Sequence, residues 1–494
     1  MGPLAVAAPS PESADAAQVV ARSGGSAVDA AIAAALVAMV TEVGLVSLSS
    51  GGFVTVQPAR GAAYTVDGWV DRPGLGRRRD APDPQTWDVA TDYGGGVTIT
   101  IGAGSVATHG SLAALGEAHA RDGRLPWSEL VAPAIDVARG GFALGSASRY
   151  YLRHVHESIF GWDPESRAAL HDADTGRLTE DRVVVPDLPG TLEHIAAAGP
   201  RALHEGDLAA LIAADVRARG GLLGAADLAA YRPVVRAPLT TRVAGWSLAT
   251  TPAPSVGGVV VAAMLRLLDG RPRSGWDAAD VAHLVRVQRA VLGHRREALD
   301  VATDLSAASR EWLDRVDADH QAVLESGSTA HVSVTDADGS ACSLTVSSGY
   351  GAGMIAAGTG IWLNNCLGEQ ELNPPARQVA PGSRLLSNMA PVVGRHDDGS
   401  TLAIGSPGAD RITTAVVSAL AGFANGGLDL EAAVAHPRVH VHRAGLPDEE
   451  VRVEDEPTMY FGGVGAALTR VDGRLEAVAD PRREGVARVV AVSP

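Results

Sequence analysis

Thr329 opens the short alternating stretch Thr329-Ala330-His331-Val332-Ser333-Val334, directly after the small, flexible residues Glu325-Ser326-Gly327-Ser328. A cut between Ser328 and Thr329 would expose a threonine as a new N-terminus. Such a residue carries both halves of a catalyst. Its hydroxyl is the nucleophile, and its own α-amine, with a reference pKa of roughly 7.7–8.0, is the base that activates it at neutral pH. A Ser-Thr bond ahead of a strand is also what an ordinary loop entering a hairpin looks like, so the surrounding elements carry the argument.

Thr329 to Thr335 reads as a strand, Asp336-Ala337-Asp338-Gly339-Ser340 as a tight turn, and Ala341 to Ser347 as the returning strand. Folding about Asp338-Gly339 sets Ser347 or Ser348 beside Thr329, to within about one residue of register. Periodicity alone equally allows a solvent-facing row of Ser and Thr. Gly349-Tyr350-Gly351-Ala352-Gly353 is backbone able to approach a ligand closely. Leu363-Asn364-Asn365-Cys366-Leu367-Gly368-Glu369 places amides and one carboxylate after a strand. Gly405-Ser406-Pro407-Gly408-Ala409 runs into a helix expected over 411–425, and a glycine turn there can aim N–H groups at a developing oxyanion.

The elements that must position these residues are legible along most of the chain. Ser10 to Arg22 and Ala27 to Val40 read as helices split by Gly24-Gly25, the second almost wholly apolar and therefore buried. A strand follows over Ser49 to Val56, with Ala62 to Val66 as its hairpin partner. Helices are expected over 110–121, 127–139, 259–268 and 277–297, helix-loop-helix over 187–231, and strands over 234–251. No repeat or long linker divides the chain, so both halves read as pieces of one fold.

Composition excludes several chemistries. Hydrophobic residues make up 46% of 494 but aromatics only 4%, so the core is built from Ala, Val and Leu. The net charge of −16 speaks against nucleic acid or an anionic membrane as partner. All 41 cationic residues are arginine, which removes Schiff-base, pyridoxal-phosphate and Walker-type chemistry, since each needs a lysine. Cys342 and Cys366 have no zinc or disulfide spacing. The first residues lack a basic leader, and the apolar run Ala30 to Val40 is too short to span a bilayer, so a soluble, cytoplasmic protein is expected.

Together these segments resemble the γ-glutamyltranspeptidase family of N-terminal-nucleophile hydrolases, over nearly the whole chain. Gly24-Gly25-Ser26-Ala27-Val28-Asp29-Ala30-Ala31 is similar to the family's Gly-Gly-Asn-Ala-Val-Asp-Ala-Ala, and Pro252-Ala253-Pro254-Ser255-Val256-Gly257-Gly258 to its Pro-Pro-Pro-Ser-Ser-Gly-Gly. Thr329-Ala330-His331-Val332-Ser333-Val334 resembles Thr-Thr-His-x-Ser-Val, where the chain is cut before the first Thr. The segment 405–412 resembles Gly-Ser-Pro-Gly-Gly-Ser-Arg-Ile, and Ala435-His436-Pro437-Arg438-Val439-His440 the closing Ala-Pro-Arg-Phe-His. The resemblance implies an α+β fold, a four-layer αββα sandwich, self-cleaved into a large subunit (1–328) and a small one (329–494) that stay associated and can form a higher oligomer. It implies a small-molecule substrate and neither cofactor nor metal. Carried over by position, Thr329 is nucleophile and base, Ser347 supports its hydroxyl, Gly408 and Ala409 form the oxyanion hole, and Ser387 binds substrate, with Asn388 replacing a second serine. An alanine keeps its backbone donor wherever φ is negative.

The departures concentrate in substrate recognition. The family grips the glutamyl α-carboxylate with an arginine; here the matching stretch, Val66-Asp67-Gly68-Trp69-Val70-Asp71-Arg72-Pro73, places Trp69 there, with Arg72 as the possible substitute. Loss of a bidentate guanidinium removes about 1.5–3 kcal/mol, roughly ten- to a hundred-fold in affinity. The family's Asn-Asn-x-Met-Asp-Asp becomes Asn364-Asn365-Cys366-Leu367-Gly368-Glu369, leaving Glu369 as the candidate partner for an ammonium. An amide-binding Asn after Ser347 is missing, and the lid segment 372–384 has no tyrosine, so an open cleft is expected.

The leading expectation is therefore a self-processing hydrolase with a changed acyl donor. A variant of it, implied by homologues in actinobacterial specialised metabolism, is hydrolysis of a C–C bond next to a carbonyl during alkylproline construction. A metal-dependent hydrolase built on His436, His440 and His442 lacks an evident third ligand and base. A non-catalytic scaffold is the remaining alternative, opposed by the retained Thr329, Ser347 and Gly408. Cys366 reads as a buried structural thiol rather than a second nucleophile.

Overall fold

The computed structural model describes residues 2–78, 80–93, 96–268, 277–316, 329–370, 372, 379–408 and 411–491. Among them, two antiparallel sheets lie face to face between two layers of helices. In chain order their strands are β1 (Leu4–Ala8), β2 (Gly51–Gln57), β3 (Tyr64–Gly68), β4 (Val234–Arg236), β5 (Leu239–Val243), β6 (Trp246–Thr250), β7 (Ala330–Asp336), β8 (Ala341–Ser347), β9 (Val392–His396), β10 (Thr401–Gly405), β11 (Gly465–Thr469), β12 (Leu475–Ala479) and β13 (Val486–Val490). The first sheet runs β13-β1-β7-β8-β2-β3-β4, the second β12-β11-β10-β9-β6-β5.

The outer face of the first sheet is covered by α1 (Pro11–Arg22) and α2 (Ala27–Thr41). All residues of α2 are buried, and its start is fixed by a capping box in which Ser26 and Asp29 exchange hydrogen bonds. Small side chains let α2 sit close to β7 and β8, as the Ala-rich, aromatic-poor composition requires. The second sheet is backed by α3 (Val256–Leu268), α4 (Ala278–His294) and α5 (Arg411–Leu420), which share a separate apolar core. This is the expected αββα sandwich.

The layer between the sheets is polar and buried. Every residue of β7 and β8 is buried. Their alternation therefore does not mark a solvent face; it separates a Val/Leu face toward α2 from a Ser/Thr/His face toward the second sheet. Ser343 Oγ donates to the Ile404 carbonyl at 3.0 Å, Thr469 Oγ1 to Thr335 Oγ1 at 3.0 Å, and Ser333 Oγ to the Gly465 carbonyl at 3.1 Å. Each bond joins one sheet to the other and satisfies a buried hydroxyl.

Two features escaped the sequence. The short apolar β1 sits beside the nucleophile strand, pairing Val6 with Val334, because a five-residue buried run carries no periodicity to distinguish strand from helix. A long helix over Ser146–Phe160 was likewise unassigned. Strands from both sides of residue 328 contribute to each sheet, so a cut there leaves neither piece with a complete sheet. Among the described residues no helix is long and apolar enough to cross a membrane.

The close approach of the sheets makes a direct test. A Cβ at Gly405 would lie 2.3 Å from the His331 ring, whereas one at Gly190, in the helix Leu188–Ala198, meets nothing within 4 Å. Gly405→Ala is expected to destabilise by about 1–3 kcal/mol in urea unfolding. Gly190→Ala is expected to be neutral or stabilising by up to about 1 kcal/mol.

Candidate active site

Thr329 stands at the head of β7, 1% exposed, with its Oγ1 buried and without a hydrogen-bond partner among the described residues. The hairpin register pairs Ala330 with Val346, so Ser347 lies opposite Thr329. That selects between the two serines left open by the sequence. Ser347 Oγ accepts from the Gly349 amide at 3.0 Å, while Ser348 turns away to Ser47 and Ser50, at 3.0 and 2.8 Å between hydroxyls. Ser328 and Ala409 lie outside the described residues.

His331, two residues on, does not serve as a base. Its Nε2 lies 2.8 Å from Ser333 Oγ and its Nδ1 2.8 Å from Thr345 Oγ1. Since Ser333 donates to Gly465, it must accept from Nε2–H, which fixes a neutral tautomer. Burial pushes the imidazole down to about 3. It is a structural strut.

A narrow cleft opens on the β8–β2–β3 side of Thr329, lined by Trp69, Thr329, Ser347, Glu369, Ser387 and Asn388 together with Leu372, Met389 and Ile412. The proline-glycine segment before α3 positions its polar floor. Ser255 Oγ donates to the Met389 carbonyl at 2.6 Å, and the Val256 amide to the Ser387 carbonyl at 2.8 Å. Both ends of the Asn388 carboxamide are buried without partners among the described residues, presenting a donor and an acceptor together. Such a group is costly unless a ligand completes it.

Trp69 is a wall rather than a binding group. Its Nε1 donates to the Leu386 carbonyl at 2.8 Å, its amide to Asp67 at 3.0 Å, and its ring stacks on Phe53 at 6.4 Å. Arg72 is not among the lining residues; its backbone is tied to Ser383 and Gly382. Arg384, which sequence reasoning passed over, is consumed by Asp67 and Asp71 and lies 4.5 Å from the Tyr231 ring centre. The described lining of the cleft thus holds an acid and no cation.

Other candidates resolve into structure. Asn364 bonds Ser49, Ala107 and Cys366, and Asn365 bonds Tyr350 and Thr100, so neither amide is offered to a ligand. Burial and Glu369 push the Cys366 thiol well above its ordinary value, which removes it as a nucleophile. His436 Nδ1 sits 2.9 Å from the Pro437 carbonyl and the His440 and His442 rings are 6.2 Å apart; among the described residues they assemble no three-ligand group. Gly408 closes the turn after β10 with φ 129°, a conformation that favours glycine.

A second, small cavity borders Thr329 from the opposite side and is not signalled by the sequence. It contains Glu42, 2% exposed, and Arg483. The only available signal was a carboxylate directly after the apolar run of α2.

Residues 13–490 match the family model for gamma-glutamyltranspeptidase. The chain is 30% identical to the glutathione hydrolase proenzyme of Pseudomonas aeruginosa, over 98% of this chain and 94% of that one. It is 29% identical to the acylase ACY 1 proenzyme of Pseudomonas sp. strain SE83, over 94% and 89%. The crystal structure of cephalosporin acylase from Bacillus halodurans superposes with a TM-score of 0.78 at 20% identity, covering 99% of this chain and 96% of that one.

Glu42 provides a pH test. Burial raises its carboxyl from an ordinary 4.5 to about 7. Below pH 4.5 folded and unfolded chains are both protonated; above it only the unfolded chain ionises freely, so stability falls as pH rises through 7, by about 3 kcal/mol. Glu42→Gln is expected to flatten this component: thermal melts at pH 5 and 8 should differ less in the variant than in the parent. An unchanged difference would place the carboxyl in water.

Proposed function

Because this chain belongs to the γ-glutamyltranspeptidase family of N-terminal-nucleophile hydrolases, we propose that it matures by cleavage between Ser328 and Thr329 and hydrolyses an amide or related acyl bond through a threonyl acyl-enzyme. The observation that carries the reading is Thr329 Oγ1 itself, a buried hydroxyl without a partner among the described residues, on the wall of a cleft and opposite Ser347.

In the cut enzyme the freed α-amine takes the proton from Oγ1 as the oxygen attacks the carbonyl carbon. Negative charge develops on the carbonyl oxygen beside the Gly408 turn, where backbone N–H donors stabilise it. The C–N bond then breaks, and the proton on the α-amine passes to the departing nitrogen. Water repeats the sequence against the ester and restores Thr329. Ser347 holds the nucleophile's oxygen in line.

The acyl half enters the cleft beside Ser347 and Trp69. Asn388 reads a group that both donates and accepts, and Glu369 favours a neutral or cationic substituent over a carboxylate. Trp69 fills the place of the family's carboxylate-binding arginine, and Arg384 is held by Asp67 and Asp71. Glutamyl recognition is therefore weakened by roughly ten- to a hundred-fold. The same acylation serves a C–C bond next to a carbonyl when the leaving carbon is a stabilised carbanion, a reading favoured by the same cation-free lining.

Intact-mass measurement of the purified protein is expected to show two fragments meeting at residue 328. Thr329→Ala should remain one uncut, inactive chain, and activity in that variant would refute the mechanism. Ser347→Ala should mature but lose about 10–100-fold in kcat. In a panel of p-nitroanilides, neutral acyl groups should exceed γ-glutamyl by tenfold or more in kcat/KM; robust γ-glutamyl turnover would overturn the altered-donor reading.

A further inference from the structure

The last turn of the helix Ser146–Phe160 and the residue that ends the next helix, Pro164–Leu170, bring His156, Glu157 and His171 together. None of the three lines either cavity at Thr329. One imidazole nitrogen of each histidine and one carboxylate oxygen lie within 4.8 Å of one another. His156 Nδ1 is 2.9 Å from His171 Nε2, and Glu157 Oε2 is 3.5 Å from that same Nε2.

The outer partners fix where the hydrogens sit. His171 Nδ1 lies 3.1 Å from the Arg167 carbonyl, which can only accept, so Nδ1 carries the hydrogen and Nε2 of the neutral ring presents a lone pair. The carboxylate has no hydrogen to give. At most one hydrogen, on His156 Nδ1, is left among three electron-pair donors. Directed at Nε2, it leaves Glu157 Oε2 facing a lone pair. A cation at the point of convergence satisfies all three.

The supports around the cluster suit a metal ion. The bond from His171 Nδ1 to a backbone carbonyl sets both tautomer and ring orientation. Glu157 turns Oε1 to the Arg167 guanidinium at 2.8 Å and keeps Oε2 toward the histidines. The His171 side chain is 3% exposed and that of Glu157 61%, which leaves a path for the ion and room for water as a fourth ligand. Metal–nitrogen bonds of about 2.0–2.1 Å set tetrahedral ligands roughly 3.3 Å apart, so the two rings need to part by only roughly 0.4 Å. Two imidazoles beside one carboxylate favour zinc and its neighbours over magnesium or calcium, which prefer oxygen alone.

We propose that His156, Glu157 and His171 bind one divalent transition-metal ion of the zinc class, with water completing a tetrahedral set. The ion pins the helix Ser146–Phe160 to the helix Pro164–Leu170. The second helix and its cap hold chain beyond residue 328: Trp362 Nε1 donates to Ser166 Oγ at 2.8 Å, and the Ile355 amide to Asp163 at 3.2 Å. The site is a brace between the two halves of the chain and takes no part in acyl transfer, so it stands whether or not the chain is cut.

The test uses full-length protein stripped with a chelator and titrated with Zn2+ by calorimetry and with Co2+ by visible absorption. Both should saturate at one equivalent, Co2+ with the intense d–d band of a tetrahedral site, and excess Mg2+ should not compete. His156→Gln and His171→Gln should each weaken binding by about a hundredfold, and Glu157→Gln by about tenfold. His154→Gln, on the same helix, and His440→Gln, on the distant histidine pair, should leave it unchanged. Zn2+ should raise the melting temperature of the wild type and not that of His171→Gln. In the wild type alone, Zn2+ should protect His156 and not His154 from diethylpyrocarbonate, read by peptide mass. Absence of saturable binding, affinity that survives in His171→Gln, or His156 modified equally with and without zinc overturns the proposal.

Discussion

The fold depends on two sheets meeting through small, buried polar side chains that bond across the gap. Ser333, Thr335, Ser343 and Thr469 bind across the gap, and His331 is locked between Ser333 and Thr345 while its ring rests against Gly405 of the other sheet. Bulkier or unpartnered residues here would separate the sheets or leave polar groups stranded at a cost of about 1–3 kcal/mol each. This layer fixes the direction of β7, and therefore where its first residue emerges: at the mouth of the sandwich, next to the turn that follows β10.

From that position the chemistry is largely a matter of charge placement. The backbone register sets Ser347 opposite Thr329, a glycine turn follows β10, and the loop beside the cleft is braced from below by Ser255 and Val256. On one side of Thr329 stand Asn388 and Glu369, with Arg384 held by Asp67 and Asp71; on the other stand Glu42 and Arg483.

Much of the machinery was legible from residue order. The hairpin of Thr329 and its turn at Asp338-Gly339 read directly from alternation, and the almost wholly apolar run of α2 and the glycine turn at Gly408 from residue type. Periodicity could not say what the hydroxyl-bearing face of β7 meets, because a face against water and a face against a second polar sheet have the same pattern. Nor could it place β1 beside the nucleophile strand, since strand order is set by contacts hundreds of residues apart. Asn364 and Asn365 are loop braces, a role residue order could not show, because an amide's partners are invisible until the chain is folded.

Sequence by itself determined the strand, turn and returning strand that begin at Thr329 and the buried apolar run of α2, because each depends on residue type and local spacing. Tertiary structure alone decided that Ser347 rather than Ser348 faces Thr329, that Arg384 is spent on Asp67 and Asp71, and that Glu42 and Arg483 share a second cavity. Those outcomes turn on which distant groups meet in a dry interior, where one ion pair or one hydrogen bond decides whether a side chain belongs to the scaffold or is offered to a ligand.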